Sequence, residues 1–154
     1  MIVERHNQQT NFYQVIGEIV RIMALSEIHQ RWTVADIERM VAAPIFAERA
    51  LLYYDEPEGD LIAFISYAFL DDQAERHYID RAGPIDPSVF AAKPDEGQLW
   101  FMDFIAPWGG VPSLMRHTKS WIEELYPNVV DAKYRRVKTG RIGRISAARP
   151  KTMH

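Results

Sequence analysis

The chain has 154 residues and a formal net charge of -3, with 47% hydrophobic and 25% charged residues, which is the composition of an ordinary globular domain with one core. It contains no cysteine, which excludes a disulfide framework, a thiolate metal site and a cysteine nucleophile. No apolar run approaches the roughly 18 residues of a membrane span, and the opening MIVERHNQQT lacks the apolar run of a secretory signal. We therefore expect one domain over residues 1–154, in the cytoplasm and without stable membrane insertion.

The first third of the chain carries two helical patterns. Apolar residues recur at helical spacing over residues 12–23, which predicts an amphipathic helix. Thr33 and Asp36 form a T-x-x-D start for a second, shorter helix, and Pro44 is expected to end that helix. The connection between the two helices contains His29.

The middle of the chain predicts strands followed by a long connection. Residues 49–54 and 61–70 flank the turn DEPEGD and are rich in residues that favour strands, which predicts a hairpin. Residues 71–80 predict a short helix or an irregular crossing. Residues 81–97 contain three prolines and two glycines, which predicts a surface connection.

The last third predicts a strand, a helix and two further strands. The strand covers residues 98–106 and stops at Pro107, and the apolar residues of 111–125 recur at helical spacing. Residues 129–137 and 140–147 predict the final two strands. The order of elements indicates an α+β domain with a central, mostly antiparallel sheet flanked by helices.

One carboxylate stands out in the strand QLWFMDFI. Alternation of side chains is expected to place Trp100, Met102 and Phe104 on one face and Leu99, Phe101, Asp103 and Ile105 on the other. Asp103 would then lie among apolar neighbours. A buried carboxylate is costly unless it has a partner or a function.

Among the five histidines, His29 is distinguished by its place in a short connection between two helices, because such loops often carry catalytic groups. A structural role in capping or packing is an open alternative. Ser26 lacks the G-x-S-x-G context of an activated nucleophile, and no H-x-x-x-H or H-E-x-x-H spacing exists, so we expect no metal site. His29 and Asp103 are distant in sequence and would meet only through the fold.

The C-terminal segment is basic. Residues 131–154 contain eight Lys or Arg residues against one acidic residue, Asp131. This pattern is typical either of a solvated strand and tail or of a docking surface for an acidic partner. Tyr134 is the one aromatic residue interleaved with these charges, so we expect no nucleic-acid binding.

Three stretches, ALSEIHQRWTV, LWFMDFIAPWGG and YRRVKTGRIGRIS, resemble those of the toxin-activating lysine acyltransferases, bacterial enzymes that fatty-acylate internal lysines of RTX protoxins. The resemblance covers residues 20–147, and the strand motif W-F-x-D-[FW]-I-A-P-[FW]-G is its most specific part. It implies that His29 and Asp103 are the catalytic pair, with Ser26 and Trp32 matching the residues that flank the histidine. This chain has Met40 where the family has a supporting asparagine.

The same resemblance implies a GNAT-like acyltransferase fold, a homodimer, and an RTX protoxin as acceptor. It also implies that the acyl group arrives on the phosphopantetheine of acyl carrier protein, so no separate cofactor is expected. Acyl carrier proteins are strongly acidic, so the basic segment would hold the carrier. The residues expected to do so are Arg135, Arg136, Lys138, Arg141 and Arg144.

Two chemical roles are open for the catalytic pair. His29 would act as the general base for the lysine, with Asp103 orienting its ring and stabilising the imidazolium. Alternatively, His29 would attack the thioester and Asp103 would be the base. The turn containing Gly109 and Gly110 would either expose N–H groups to the thioester oxygen or pantetheine arm, or simply lead into the helix.

Two other classes of function are weighed against this one. A GNAT-like module that has lost catalysis would bind an acidic partner such as acyl carrier protein, but the presence of both His29 and Asp103 argues against it. An acyltransferase that uses acyl-CoA and a small amine would need a pyrophosphate-binding loop of the form R/Q-x-x-G-x-G/A, and the sequence has no clear one.

Overall fold

The computed structural model describes residues 2–5, 11–55, 59–81, 83–136 and 139–146. The helices are α1 (Phe12–Met23), α2 (Val34–Ile37), α3 (Ala43–Phe46), α4 (Asp72–Asp80) and α5 (Val111–Leu125). The strands are β1 (Ile2–Arg5), β2 (Ala50–Tyr54), β3 (Leu61–Leu70), β4 (Gln98–Ile105), β5 (Asp131–Arg135) and β6 (Ile142–Ser146). Short 3-10 turns at Pro87–Ala91 and Pro94–Glu96 interrupt the connection before β4.

The six strands form one sheet in the order β1-β2-β3-β4-β5-β6. All neighbouring strands are antiparallel except β4 and β5, which are parallel. The predicted α+β class with a mostly antiparallel sheet is confirmed, as is the β2–β3 hairpin. The strand Ile2–Arg5 at the sheet edge was not predicted.

The second helical segment begins as predicted but continues past Pro44. Thr33 accepts from the Asp36 amide and Asp36 accepts from the Thr33 amide, a reciprocal capping box. A π-helical turn over Glu38–Ala42 then leads into α3, which runs to Phe46. The prediction that Pro44 ends the helix is therefore wrong, because Pro44 stands in the first turn of α3, where a missing N–H is tolerated.

A bulge changes the alternation of side chains in β4. Ser66 of β3 pairs with Asp103 and Tyr67 pairs with Phe101, so Met102 has no residue opposite it. Phe104 accordingly packs in the cluster of Leu99 and Phe101, on the α5 side of the sheet. The predicted grouping of Asp103 with Phe101 is wrong, because Asp103 shares a face with its pairing partner Ser66, on the side of the sheet opposite α5.

Both faces of the sheet are covered. On one side, α1 packs against β2 and β3 through the buried residues Val15, Ile19 and Ile22. On the other side, Leu114 and Ile122 of α5 pack against the central strands. In the ranges described above, no helix is both long enough and apolar enough to cross a lipid bilayer.

The parallel strands β4 and β5 pair over a short distance and then separate. Their register covers Leu99 with Ala132, Trp100 with Lys133, and Phe101 with Tyr134. Beyond Phe101, β4 continues to Ile105 without a pairing residue on β5. The wedge between the two strands is the position at which the candidate site lies.

Candidate active site

His29 lies in a series of tight turns that follows α1. The Ser26 amide bonds to the Met23 carbonyl at 3.0 Å, the His29 amide to the Ser26 carbonyl at 3.1 Å, and the Trp32 amide to the His29 carbonyl at 3.0 Å. These local bonds fix the backbone of the connection. His29 is buried, with 5% of its surface exposed.

The ring of His29 is held on two sides by residues of the same connection. Ser26 Oγ lies 2.7 Å from His29 Nδ1, which is a short hydrogen bond. The Trp32 ring meets the imidazole edge-on, with 4.8 Å between ring centroids. The predicted flanking residues Ser26 and Trp32 therefore both contact His29, and Nε2 is left to face the sheet.

Asp103 of β4 stands at that face. Its Oδ1 lies 3.7 Å from His29 Nε2, close enough for electrostatic interaction but too far for a direct hydrogen bond. Burial raises the pKa of Asp103 above its usual value, and the neighbouring His29 opposes this rise. Within the described ranges, the second carboxylate oxygen, Oδ2, is buried without a hydrogen-bond partner.

The pair opens onto a groove of about 560 Å³ in the wedge between β4 and β5. Its polar or charged lining residues are His29, Asp103, Arg116, Lys119, Tyr134 and Arg135. The remaining lining residues are apolar: Ile28, Trp32, Phe101, Met102, Phe104, Val111, Pro112, Met115 and Ile145. A concave site with mostly apolar walls and a few convergent polar groups is typical of ligand binding.

Two charged lining residues, Arg116 and Lys119, were not predicted as site residues. Arg116 and Lys119 of α5 line the groove together with Met115. The sequence feature that indicates this is the spacing of three residues between Arg116 and Lys119, which places both on one side of the helix next to Met115. Neither makes an ion pair with another residue of the described part of the chain.

Arg135, predicted to bind the acyl carrier, lines the groove and also supports the fold. Its guanidinium donates to the carbonyls of Tyr78 and Ile79 at the end of α4 and lies over the Tyr78 ring, 4.4 Å from the centroid. Burial raises the pKa of Tyr78, and the charge of Asp103 adds to this rise. Arg135 is thus both a groove residue and a link between β5 and α4.

The other described basic residues of the C-terminal segment lie outside the groove lining. Arg136 and Arg141 are exposed, and Arg144 lies 3.4 Å from the Asp131 carboxylate. Lys138 falls outside the described residues. Part of the positive charge of the segment is therefore engaged in contacts with other residues of the fold.

Neither Gly109 nor Met40 is among the residues that line the groove. Gly109 has φ +82° and its N–H bonds to the Ala106 carbonyl at 3.1 Å, so this amide is used in the turn before α5. It lines a separate depression beside Trp108. Met40 packs in an apolar cluster with Trp100 and Met102, so it offers no polar group at the position where the resemblance implied an asparagine.

No group of three or more His, Asp or Glu side chains among the described residues is arranged to hold a metal ion.

A further polar residue near Asp103 was not predicted from the sequence. Ser66 is fully buried in β3 and pairs with Asp103. The available signal was that Ser66 is the only non-aromatic polar residue in the run LIAFISYAFL.

Comparison with known proteins identifies relatives over most of the chain. The family model described as HlyC, RTX toxin acyltransferase family, matches residues 8–147. The RTX-I toxin-activating lysine-acyltransferase ApxIC of Actinobacillus pleuropneumoniae is 26% identical over 140 residues, covering 91% of this chain and 76% of that protein. The RTX-II toxin-activating lysine-acyltransferase ApxIIC of the same organism is 28% identical, covering 71% of this chain and 65% of that protein.

Two further proteins are similar to this chain. The protein-lysine myristoyltransferase RtxC of Kingella kingae is 28% identical over 111 residues, covering 70% of this chain and 61% of that protein. Among solved structures, an N-acetyltransferase from Staphylococcus aureus Mu50 matches 87% of this chain and 80% of its own, with 11% identity and a TM-score of 0.46. The resemblance inferred from the three sequence stretches is confirmed by the family match.

Proposed function

The chain belongs to the RTX toxin acyltransferase family, and on that premise we propose that it moves a fatty acyl group from acyl carrier protein to the ε-amine of internal lysines of an RTX protoxin. The observation that carries the proposal is the 3.7 Å approach of His29 Nε2 to Asp103 Oδ1 in the wall of an apolar groove. We propose that the reaction takes place in the cytoplasm.

The chemistry requires a base. A lysine amine of ordinary pKa, about 10.4, is neutral in only roughly one molecule in 2,500 at pH 7. An imidazole is suited to take the proton, and general base catalysis of this kind typically contributes about 10² to 10⁴ in rate. Among the histidines in the described ranges, His29 is the one that lines the groove.

The gap between the two side chains suits an amine. A nitrogen atom can stand about 2.9 Å from both His29 Nε2 and Asp103 Oδ1, because these two atoms are 3.7 Å apart. With the proton of neutral His29 on Nδ1 and donated to Ser26, the Nε2 lone pair accepts the proton of the amine. The negative charge of Asp103 then stabilises the cation that forms.

The assignment differs from a hydrolase triad, in which the carboxylate holds Nδ1. Here Ser26 occupies Nδ1, so Ser26 orients the ring and Asp103 acts on the amine side. The lysine first loses its ammonium proton to solvent, and the neutral amine attacks the thioester carbonyl carbon as one of its remaining N–H protons passes to His29 Nε2. The carbon–sulfur bond then breaks, and the thiolate takes that proton from His29. An acyl-imidazole on His29, with Asp103 as base, is the alternative course.

The groove supplies the binding chemistry for the donor. Apolar walls from Phe101, Met115 and Ile145 suit a fatty chain, since burial of each methylene contributes about 0.8 kcal/mol. Arg116 and Lys119 place positive charge on the same groove. Acyl carrier protein is acidic and its prosthetic arm carries a phosphate, so both features complement this charge.

The experiment is an acyl-transfer assay followed by intact-mass spectrometry. It uses purified protein, long-chain acyl carrier protein and an RTX protoxin fragment, with wild type, His29→Ala and Asp103→Asn. His117→Ala is the matched control, because His117 is exposed on α5 and lines no part of the groove. We expect acyl gain on a lysine, lost in His29→Ala and kept in His117→Ala.

The same assay separates the alternatives. A transient acyl mass on the enzyme, absent in His29→Ala, would assign His29 as the nucleophile. Tight carrier binding without consumption of the thioester would contradict the enzyme proposal and favour a binding module. The homodimer implied by the resemblance stays a prediction, which light scattering of the purified protein measures.

A further inference from the structure

Two buried polar atoms belong to residues that pair across two neighbouring strands of the sheet. Ser66 is fully buried in β3 and is the residue directly opposite Asp103 in the antiparallel β3–β4 pair. Within the described part of the chain, neither Ser66 Oγ nor Asp103 Oδ2 has a hydrogen-bond partner. Buried polar atoms without a hydrogen-bond partner are uncommon in folded proteins. A donor and an acceptor that both lack a partner, on paired residues, have one explanation if they bond to each other.

The geometry brings a donor and an acceptor to the same face. Residues directly opposite each other in antiparallel strands have Cβ atoms about 4.5 to 5.5 Å apart and point to the same side. Ser66 carries a hydroxyl, which can donate, whereas an ionised Asp103 can only accept. A change of the Ser66 χ1 rotamer is enough to redirect the hydroxyl.

We propose that Ser66 is a positioning residue for Asp103: its hydroxyl donates a hydrogen bond to Oδ2 of the ionised carboxylate, which leaves Oδ1 directed at the substrate amine beside His29 Nε2. This inference rests on the proposed function of Asp103. It assigns separate tasks to the two carboxylate oxygens. Oδ2 is held by the protein, and Oδ1 faces the reaction.

The other groups around Asp103 have different partners. His29 Nε2 approaches Oδ1 at 3.7 Å, and it makes no hydrogen bond to Oδ2. Tyr78 of α4 donates its hydroxyl to the Met102 carbonyl at 3.5 Å, and Arg135 of β5 donates to the carbonyls of Tyr78 and Ile79. Ser66 is therefore the donor on the sheet face of Asp103 to which the structure gives no other partner.

Removal of the hydroxyl has a defined direction of effect. A hydrogen bond donated to the charged form favours ionisation, so Ser66→Ala raises the pKa of Asp103. We expect the acidic limb of the activity profile to move up by about one pH unit. We also expect kcat to fall several-fold, with the KM for acyl carrier protein unchanged.

The experiment is a ¹³C NMR titration of protein labelled at aspartate carboxyl carbons, with Asp103→Asn used to assign the Asp103 signal. Ser66→Ala is compared with Ser66→Cys, which keeps the size of the side chain but donates weakly. Thr118→Val is the control, because Thr118 is an equally buried hydroxyl bonded to Tyr53 on the other side of the sheet. A higher Asp103 midpoint in both Ser66 variants, and not in Thr118→Val, supports the inference.

An unchanged midpoint in the Ser66 variants, or an equal change in Thr118→Val, would overturn it. Should Ser66→Ala fail to fold, the Ser66→Cys titration decides the question alone. The titration needs no substrate and is independent of the proposed reaction. Full activity of Asp103→Asn would contradict the proposed function, whereas an unmoved Asp103 midpoint would contradict only the role of Ser66.

Discussion

Ser26 Oγ lies 2.7 Å from Nδ1 of His29, so the nitrogen that faces Asp103 is Nε2. A connection of a few residues thereby decides which nitrogen is available for chemistry. The orientation is local, because the serine is three positions before the histidine. The approach to Asp103 depends on the sheet.

Removal of the Ser26 hydroxyl should lower activity without unfolding the protein. Ser26→Ala removes the hydrogen bond to Nδ1, so the ring loses one of its two orienting contacts and its tautomer preference. A hydrogen bond of this kind contributes about 0.5 to 1.5 kcal/mol, so we expect kcat to fall up to roughly tenfold. Initial rates with acyl carrier protein measure this, and Ser113→Ala on the exposed start of α5 is the control. Equal rates for both variants would show that Trp32 alone holds the ring.

The carboxylate of Asp103 should reduce stability at neutral pH. Its pKa is raised by burial, so the folded state binds the proton more tightly than the unfolded state. The contribution of Asp103 to stability is then fully present below the unfolded pKa, near 3.9, and is lost as pH rises through the folded pKa. Asp103→Asn should therefore be more stable than wild type at pH 7.

Urea unfolding at a series of pH values tests this. The gain from Asp103→Asn should shrink as the pH approaches 4, because the wild-type carboxyl is then protonated. Asp131→Asn, which removes a half-buried carboxylate bonded to Arg144, is the comparison. A gain in stability that does not depend on pH would argue against a raised pKa as its cause.

Charge reversal on α5 should weaken the use of acyl carrier protein. Arg116→Glu combined with Lys119→Glu replaces two cations that line the groove, so we expect the KM for the carrier to rise roughly tenfold with little change in kcat. The difference should shrink at high salt. Arg136→Glu combined with Arg141→Glu tests the two exposed residues outside the groove. A larger rise in KM for this pair than for the α5 pair would indicate that the carrier binds to the C-terminal segment instead.

Small thioester donors distinguish binding of the phosphopantetheine arm from binding of the carrier protein. Acyl-pantetheine has no phosphate and acyl-phosphopantetheine has one, and both lack the protein. If Arg116 and Lys119 bind the phosphate, wild type should prefer the phosphorylated donor and the double variant should not. Loss of carrier activity with an unchanged preference between small donors would instead indicate contact with the carrier protein itself.

Narrowing the groove should shorten the preferred acyl chain. Met115→Trp enlarges a side chain that lines the groove. Because each buried methylene contributes about 0.8 kcal/mol, exclusion of two methylenes should lower kcat/KM for a long chain roughly tenfold relative to a short one. Competition between carriers of two chain lengths measures the ratio. Leu125→Trp, at the exposed end of the same helix, should leave it unchanged.

The sequence by itself determined the local elements of this protein. The 3.6-residue periodicity located α1 and α5, the Thr33 and Asp36 pair located the start of α2, and the hairpin signals located β2 and β3. It also drew attention to His29 and Asp103, the first by its place in a short connection and the second as a carboxylate in an apolar strand. Each of these signals depends on residues a few positions apart in the sequence. Such residues interact with one another whatever the rest of the chain does.

Only the tertiary structure decided how those residues face one another. The bulge at Met102, which turns Asp103 to the side of Ser66, exists because β4 pairs with β3 in a shifted register. The place of Arg116 and Lys119 on the groove depends on where β4 and β5 separate. Contacts of this kind join residues distant in the chain, and the free energy that selects them comes from packing of the whole core, so no local pattern encodes them.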